Sequence, residues 1–207
     1  MTLTTRFVSE RELVYSPNAL GFPSIGGCHA ICYVTGAGLF GYHNYGGETK
    51  SQYEDRAKAF RTFINGHASG PAGGTALYGA CFLSPKASGG SWRAYGIPGR
   101  DKWVAELQAF ADAVGFTGPV YGIDLGKSPA LADGWKGSAY VEFTKVSEKC
   151  VVQIKAWNEG DKSTGTNGDH VNIQYNASGA EIENQTGTTI TNVTRNGVKT
   201  VYPEQLA

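Results

Sequence analysis

Two apolar segments that flank a short glycine turn predict a β-hairpin in the N-terminal third of the chain. Residues 30–35 (Ala-Ile-Cys-Tyr-Val-Thr) and 39–43 (Leu-Phe-Gly-Tyr-His) are rich in apolar, β-branched and aromatic side chains, and Gly36-Ala37-Gly38 lies between them. Residues of these types favour strands, and a short connection containing glycine joins antiparallel neighbours. The sequence therefore predicts two adjacent antiparallel strands here.

Two further segments have the 3.6-residue apolar spacing of amphipathic helices. The first helix is predicted from an N-cap at Ser51 to a C-terminal glycine at Gly66, and the second from an N-cap at Asp101 to Gly115. Their predicted apolar faces consist of Tyr53, Ala57, Phe60 and Ile64 in the first helix and of Val104, Leu107, Ala111 and Val114 in the second.

Other apolar or alternating segments predict a strand-rich protein. Residues 76–83 and 120–125 read as buried strands, 139–144 and 150–157 as a hairpin, and 170–175 and 189–194 as alternating strands. Asn196-Gly197 predicts a tight hairpin turn between Val193 and Val198. We therefore expect one mixed α/β domain over residues 1–207, with a largely antiparallel β-sandwich core, two main helices and a β-rich C-terminal part.

Charge and composition exclude several classes of protein. Because 18 Lys and Arg balance 18 Asp and Glu, the chain lacks the basic excess that nucleic-acid binding requires. No apolar run approaches the roughly 18 residues that would span a bilayer, so no membrane association is expected. The N-terminal residues do not resemble a classical signal peptide, which favours a cytosolic location or export by a signal-less route. The four cysteines are expected to be free thiols.

Cys28 and His43 are the candidates for catalysis. A cysteine needs a nearby base to become nucleophilic near neutral pH, and a histidine within hydrogen-bond reach can supply one. If Gly36-Ala37 is a two-residue loop, His43 lies opposite Ala30, and Cys28 becomes its diagonal neighbour at roughly 7–8 Å on the same face. A three-residue loop would place the two side chains on opposite faces unless a bulge intervenes.

The residues just before Cys28 could complete such a site. Gly26-Gly27 would let the backbone approach a substrate, and the amide of Gly27 could face a developing oxyanion. Ser24 is the nearest hydroxyl that could bind that oxyanion or orient the histidine. Acyl transfer of this kind requires neither a metal nor a cofactor.

Residues 23–47 resemble the catalytic core of bacterial protein glutamine deamidases. The Gly-Gly-Cys sequence that enters a strand, the glycine turn and a histidine fifteen residues after the cysteine resemble toxins of the cytotoxic necrotizing factor and lethal-factor deamidase types and, more distantly, chemoreceptor glutamine deamidases. The resemblance implies a deamidase domain on an α/β sandwich, with Cys28 as nucleophile and His43 as base.

The resemblance has departures. Some members of the family have a threonine six residues before the cysteine that orients the histidine, but Phe22 occupies that position. The role requires only a hydrogen-bond acceptor, so a backbone carbonyl can fill it.

The resemblance implies that the partner is a folded target protein, such as a host regulatory protein, on which the enzyme acts as a monomer. The implied locations are the bacterial cytoplasm or, after signal-less secretion, a host cytosol. Phe22, Trp92 and Tyr95 have no evident core role in the sequence and are candidate substrate-binding residues. A catalytic Cys28 is expected to alkylate much faster than the other cysteines.

Several alternatives remain at this level. Cys28 and Cys32 could be packing residues of a buried strand. A zinc site of Cys28, His29, Cys32 and His43 has suitable ligands but poor spacing, because consecutive strand residues point to opposite faces. A papain-like peptidase would place the cysteine at a helix N-terminus rather than in a strand. A transglutaminase, or a non-catalytic binding or adhesion module with Trp92 and Tyr95 as contact residues, would also fit.

Overall fold

The computed structural model describes the chain except for several short segments and one longer one. It contains two helices, α1 (Lys50–Gly66) and α2 (Gly99–Ala113), in the part described. The described residues are 4–45, 50–68, 70, 73–83, 99–132, 135, 137–165, 170–175, 181–185 and 189–207. The strands are β1 (Thr5–Phe7), β2 (Glu12–Ser16), β3 (Ala19–Ile25), β4 (Cys28–Thr35), β5 (Leu39–Tyr45), β6 (Gly74–Cys81), β7 (Val120–Asp124), β8 (Ala139–Val146), β9 (Lys149–Ala156), β10 (Lys162–Gly165), β11 (His170–Tyr175), β12 (Glu181–Gln185), β13 (Thr189–Val193), β14 (Lys199–Val201) and β15 (Glu204–Gln205).

The strands form two large sheets and one small one. The larger sheet has the order β12-β11-β2-β5-β4-β6-β7-β15. The other large sheet, called the smaller sheet below, has the order β1-β3-β8-β9-β14. Strands β10 and β13 form a separate pair. Pairing is antiparallel except between β1 and β3 and between β6 and β7. The predicted fold class, a mixed α/β protein with largely antiparallel sheets and two helices, is confirmed.

Two apolar cores lie on opposite faces of the larger sheet. One core fills the space between the two large sheets and includes Leu20 and Phe143 of the smaller sheet and Val34 of β4. The other core lies between the larger sheet and the helices, where Phe60 of α1 and Phe110 of α2 pack on Tyr42 of β5. The larger sheet is therefore the middle of three layers, and both of its faces are buried.

The β4–β5 hairpin has the register that a two-residue loop requires. Val34 pairs with Leu39 and Ala30 with His43, and Thr35 N donates to Gly38 O at 2.8 Å across the turn. The two-residue loop Gly36-Ala37 is thereby confirmed. Because side chains alternate along a strand, this register determines which residues of β4 and β5 share a face.

The helices lie where the apolar spacing predicts them, but both predicted N-caps are wrong. Gly115, two residues after the last residue of α2, has a φ of +68°, as expected of a C-terminal glycine. Helix α1 begins at Lys50 and α2 at Gly99, so Ser51 and Asp101 lie in the first turns of these helices and are not their N-caps. Neither helix in the described part of the chain is long and apolar enough to cross a bilayer.

The prediction of a hairpin at Asn196-Gly197 is wrong. A turn does occur there, and Gly197 has a φ of +80°. However, the strand before it, β13, pairs with β10, whereas the strand after it, β14, pairs with β9 of another sheet. The turn therefore redirects the chain between sheets, because the flanking strands find their partners elsewhere.

Two buried polar contacts attach the C-terminal segment to the smaller sheet. The carboxylate of Glu142 in β8 is fully buried and accepts hydrogen bonds from Tyr140 and Arg195. Lys155 in β9 is bonded to Asp161 at 2.7 Å and to the carbonyl of Thr194. Paired in this way, the buried charges avoid the desolvation cost that they would carry alone.

Candidate functional site

Cys28 and His43 lie on the same face of the β4–β5 hairpin. Cys28 is the first residue of β4 and pairs with Tyr45, while His43 in β5 pairs with Ala30. Residues two apart in a strand share a face, so Cys28, Ala30 and His43 point to the same side. Cys28 and Ala30 belong to the core between the two large sheets, and the ring of Phe22 in that core lies 6.3 Å from the His43 ring. Cys28 and His43 are therefore the diagonal neighbours that the two-residue loop predicts.

The main chain orients the imidazole of His43. Its Nδ1 lies 2.9 Å from the carbonyl oxygen of Val8, in the connection between β1 and β2. A carbonyl can only accept, so Nδ1 carries a proton and Nε2 of the neutral ring has the lone pair. Nε2 is buried and makes no hydrogen bond within the described part of the chain, and hence none to the Cys28 thiol. This tautomer is the one that a general base needs.

Burial holds both groups in their neutral forms. Cys28 is 6 % exposed, and its pKa is raised to about 12, first by desolvation and then by the carboxylate of Glu10, against the opposing charges of Arg11 and Arg56. Burial lowers the pKa of His43 to about 4, although its hydrogen bond to a backbone carbonyl acts in the other direction. At neutral pH the pair is therefore a thiol and a neutral imidazole.

Phe22 is a core residue, contrary to the expectation that it contacts substrate. It is fully buried in the core between the sheets, with its ring 5.7 Å from that of Phe143 in an edge-on arrangement. Strand β3 pairs with β8 in the smaller sheet, and the Phe22 side chain lies on the inner face of that sheet. Phe22 therefore forms one wall around His43 and is not available to a protein partner.

The turn before Cys28 is the exposed edge of the site. Ser24 is exposed and has a φ of +59°, at an irregularity in the β3–β8 pairing. Of the two candidates for the orienting acceptor, the Ser24 hydroxyl and a backbone carbonyl, it is the carbonyl of Val8 that contacts His43 Nδ1. Gly27 is exposed directly beside Cys28. It remains the candidate for an oxyanion-binding amide.

The side chain next to Cys28 points the other way and takes part in a separate buried cluster. His29 Nδ1 lies 2.8 Å from Glu106 Oε2, and Asn44 Nδ2 donates to Glu106 Oε1 at 2.6 Å. Cys28 and His29 thus lie on opposite faces of β4, which removes the geometric basis for a zinc site containing both. Among the residues described, no group of three or more His, Cys, Asp or Glu side chains could hold a metal ion.

Sequence reasoning missed two contributors to the site. Val8 was missed because strands β1, β2 and β3 were not predicted, although Phe7-Val8 and Leu13-Val14 are apolar pairs of the kind that short strands contain. Glu106 was missed although it occurs on the buried side of α2, between Trp103 and Phe110. An acidic residue within an apolar helical stripe indicates a buried polar partner. Trp92 and Tyr95 lie outside the described residues.

Comparison of the chain with protein-family models and with curated protein sequences finds no match in either. The feature that bears on function is therefore the geometry of the β4–β5 hairpin. That geometry places a thiol and an oriented, neutral imidazole on one face, beside an exposed glycine turn. Such an arrangement can support nucleophilic attack on a carbonyl, with proton transfer to His43 during the attack.

Proposed function

We propose that this protein is a cysteine-dependent glutamine deamidase that acts on a target protein. The observation that carries the proposal is the hydrogen bond of His43 Nδ1 to the Val8 carbonyl, which leaves Nε2 as the basic nitrogen on the face of Cys28. Nε2 makes no hydrogen bond in the described part of the chain and can therefore accept the Cys28 proton. The carboxamide substrate class comes from the resemblance of residues 23–47 to the deamidases.

The reaction follows from the neutral state of the pair. Cys28 Sγ attacks the side-chain carbonyl carbon of a glutamine while its proton passes to His43 Nε2. The tetrahedral intermediate then expels ammonia, which takes the proton from His43, and a thioester remains. Water, deprotonated by His43, hydrolyses the thioester to glutamate and regenerates the Cys28 thiol. The amide of Gly27 is the candidate donor to the oxyanion.

A search for glutamine-to-glutamate conversion tests this function. Cell lysates treated with the purified protein would be analysed by mass spectrometry, with ammonia release measured in parallel. The wild-type protein should convert specific glutamines of folded proteins and leave free glutamine unchanged. Cys28→Ala and His43→Ala should each abolish conversion, and the double variant should be scarcely worse, because both residues act in one mechanism.

Cys150→Ala is the matched control, since Cys150 is a partly exposed thiol in β9, outside the site. It should keep full activity, and circular dichroism would show that each variant is folded. Full activity in Cys28→Ala would refute the proposal. Isopeptide products with added amines would instead indicate a transglutaminase, and peptide cleavage a peptidase. Stable complexes without chemical change would favour the binding module.

A further inference from the structure

The carboxylate of Glu106 binds both strands of the hairpin directly behind Cys28 and His43. One oxygen contacts His29 of β4 at 2.8 Å, and the other accepts from Asn44 of β5 at 2.6 Å. All three side chains are at most 2 % exposed. Burying a carboxylate in such an apolar setting costs free energy unless its oxygens accept hydrogen bonds. The two contacts therefore stay formed in the folded protein, and they hold His29 and Asn44 in a defined geometry.

The two residues that Glu106 binds are the immediate neighbours of the candidate catalytic residues. His29 follows Cys28 and Asn44 follows His43, and His29 and Asn44 are cross-strand partners. Because side chains alternate, His29 and Asn44 face the helices while Cys28 and His43 face the other sheet. A displacement of either strand behind the site would therefore move Cys28 relative to His43.

This end of the hairpin lies far from its own turn. The Gly36-Ala37 loop aligns the strands at one end, whereas Cys28 is the first residue of β4 and Asn44 is the last but one of β5. Strand ends open more readily than strand centres. Glu106 projects from α2 and joins β4 to β5 at this open end.

We propose that Glu106 is a positioning residue that sets the distance between Cys28 Sγ and His43 Nε2. This inference rests on the proposed function, in which the thiol proton passes to Nε2 during attack. Misplacement of reacting groups by about 1 Å can lower a rate roughly a hundredfold. Loss of the Glu106 contacts should therefore reduce kcat by roughly ten- to a hundredfold with little change in KM.

Two substitutions at Glu106 separate geometry from charge. Glu106→Gln can accept from His29 Nδ1 through its oxygen and, if the Asn44 amide turns over, donate through its own amide to Asn44 Oδ1, which has no hydrogen-bond partner in the described part of the chain, so it should keep activity within a few-fold of wild type. Glu106→Leu has a similar volume but neither hydrogen bond, and should show the loss in kcat. If Glu106→Leu does not fold, Asn44→Ala removes one of the two contacts and should show a smaller loss of the same kind.

Leu107→Ala is the matched control for stability. Leu107 is a buried residue of α2 that packs against Gly79 of β6, and its apolar side chain can form no hydrogen bond to His29 or Asn44. Its truncation should destabilise the protein by creating a cavity and leave kcat unchanged. Equal losses of kcat in Leu107→Ala and Glu106→Leu would assign the effect to general destabilisation and overturn the proposal. Equal losses in Glu106→Gln and Glu106→Leu would assign it to charge and overturn it as well.

A spectroscopic measurement keeps this test separate from that of the proposed function. In protein labelled with ¹⁵N-histidine, the His43 ring should show the Nδ1-protonated neutral tautomer. This signature should persist in Glu106→Gln and Leu107→Ala and be shifted or averaged in Glu106→Leu. If the wild-type protein lacks deamidase activity but the His43 signature changes as expected, the proposed function is refuted and the structural effect of Glu106 on His43 still stands. An unchanged His43 signature in Glu106→Leu, with the catalytic activity present, would refute the positioning role.

Discussion

His43 should cause the protein to lose stability in mild acid. The ring is fully buried and bonded to Val8 O, and burial lowers its pKa from 6.5 to about 4. As the pH falls below 6.5, the unfolded chain binds a proton at this position, whereas the folded protein does not until the pH approaches 4. The unfolded state is therefore favoured increasingly across this window, and the contribution of His43 is complete only above pH 6.5.

The size of the effect follows from the two pKa values. Integrating proton uptake from pH 7 to pH 4.5 with a pKa of 6.5 unfolded and about 4 folded gives a loss of about 2.5 kcal/mol in the free energy of unfolding. This loss is a considerable fraction of the 5–15 kcal/mol that stabilises a typical domain. A loss of this size in the free energy of unfolding should be measurable above the smaller pH-dependent contributions of exposed carboxylates.

Urea denaturation at a series of pH values, followed by circular dichroism, measures this loss. His43→Asn is the informative variant, because an asparagine amide can still donate to the Val8 carbonyl but does not titrate. The wild-type free energy of unfolding should fall by about 2.5 kcal/mol more than that of His43→Asn between pH 7 and 4.5. His67→Asn, which removes a half-buried histidine from the other side of the larger sheet, is the control. Parallel pH profiles for the wild type and His43→Asn would refute the reasoning.

Two further predictions concern Cys28 and Phe22. Burial raises the pKa of Cys28 to about 12, which contradicts the fast alkylation expected from the sequence. Alkylation of Cys28 by iodoacetamide in the absence of substrate should instead be slow at neutral pH and rise about tenfold per pH unit; a fast, pH-independent rate near neutrality would show a resting thiolate. Phe22→Ala should cost about 3–5 kcal/mol in urea denaturation because it empties a fully buried ring site. A loss below about 1 kcal/mol would contradict the core position of Phe22.

The elements that could be predicted from the sequence depend on short-range patterns. The β4–β5 hairpin follows from two apolar segments and a two-residue glycine loop, and that loop alone determines that Cys28 is diagonal to His43. The termination of α2 just before Gly115 likewise follows from the freedom of glycine to adopt a positive φ. In these cases the physical cause acts within a few residues along the chain.

The elements that were predicted wrongly or not predicted at all depend on pairing partners that are distant in sequence. Asn196-Gly197 forms a turn, but β13 and β14 pair with β10 and β9 rather than with each other. Strand β1 has only three residues and pairs in parallel with β3. Such a short segment has too little alternation to be recognised alone, and its pairing becomes favourable only when the sheet is assembled.

The same distinction between short-range patterns and long-range contacts applies to the candidate site. The sequence determined the two reactive residue types, their spacing and, through the glycine loop, the face that they share. Only the tertiary structure decided which group orients His43, because a backbone carbonyl such as that of Val8 carries no sequence signal. Tertiary packing also buried Phe22, brought Glu106 of α2 behind the hairpin, and raised the pKa of Cys28. These features arise from desolvation and long-range contacts, which exist only when the sheets and helices are packed together.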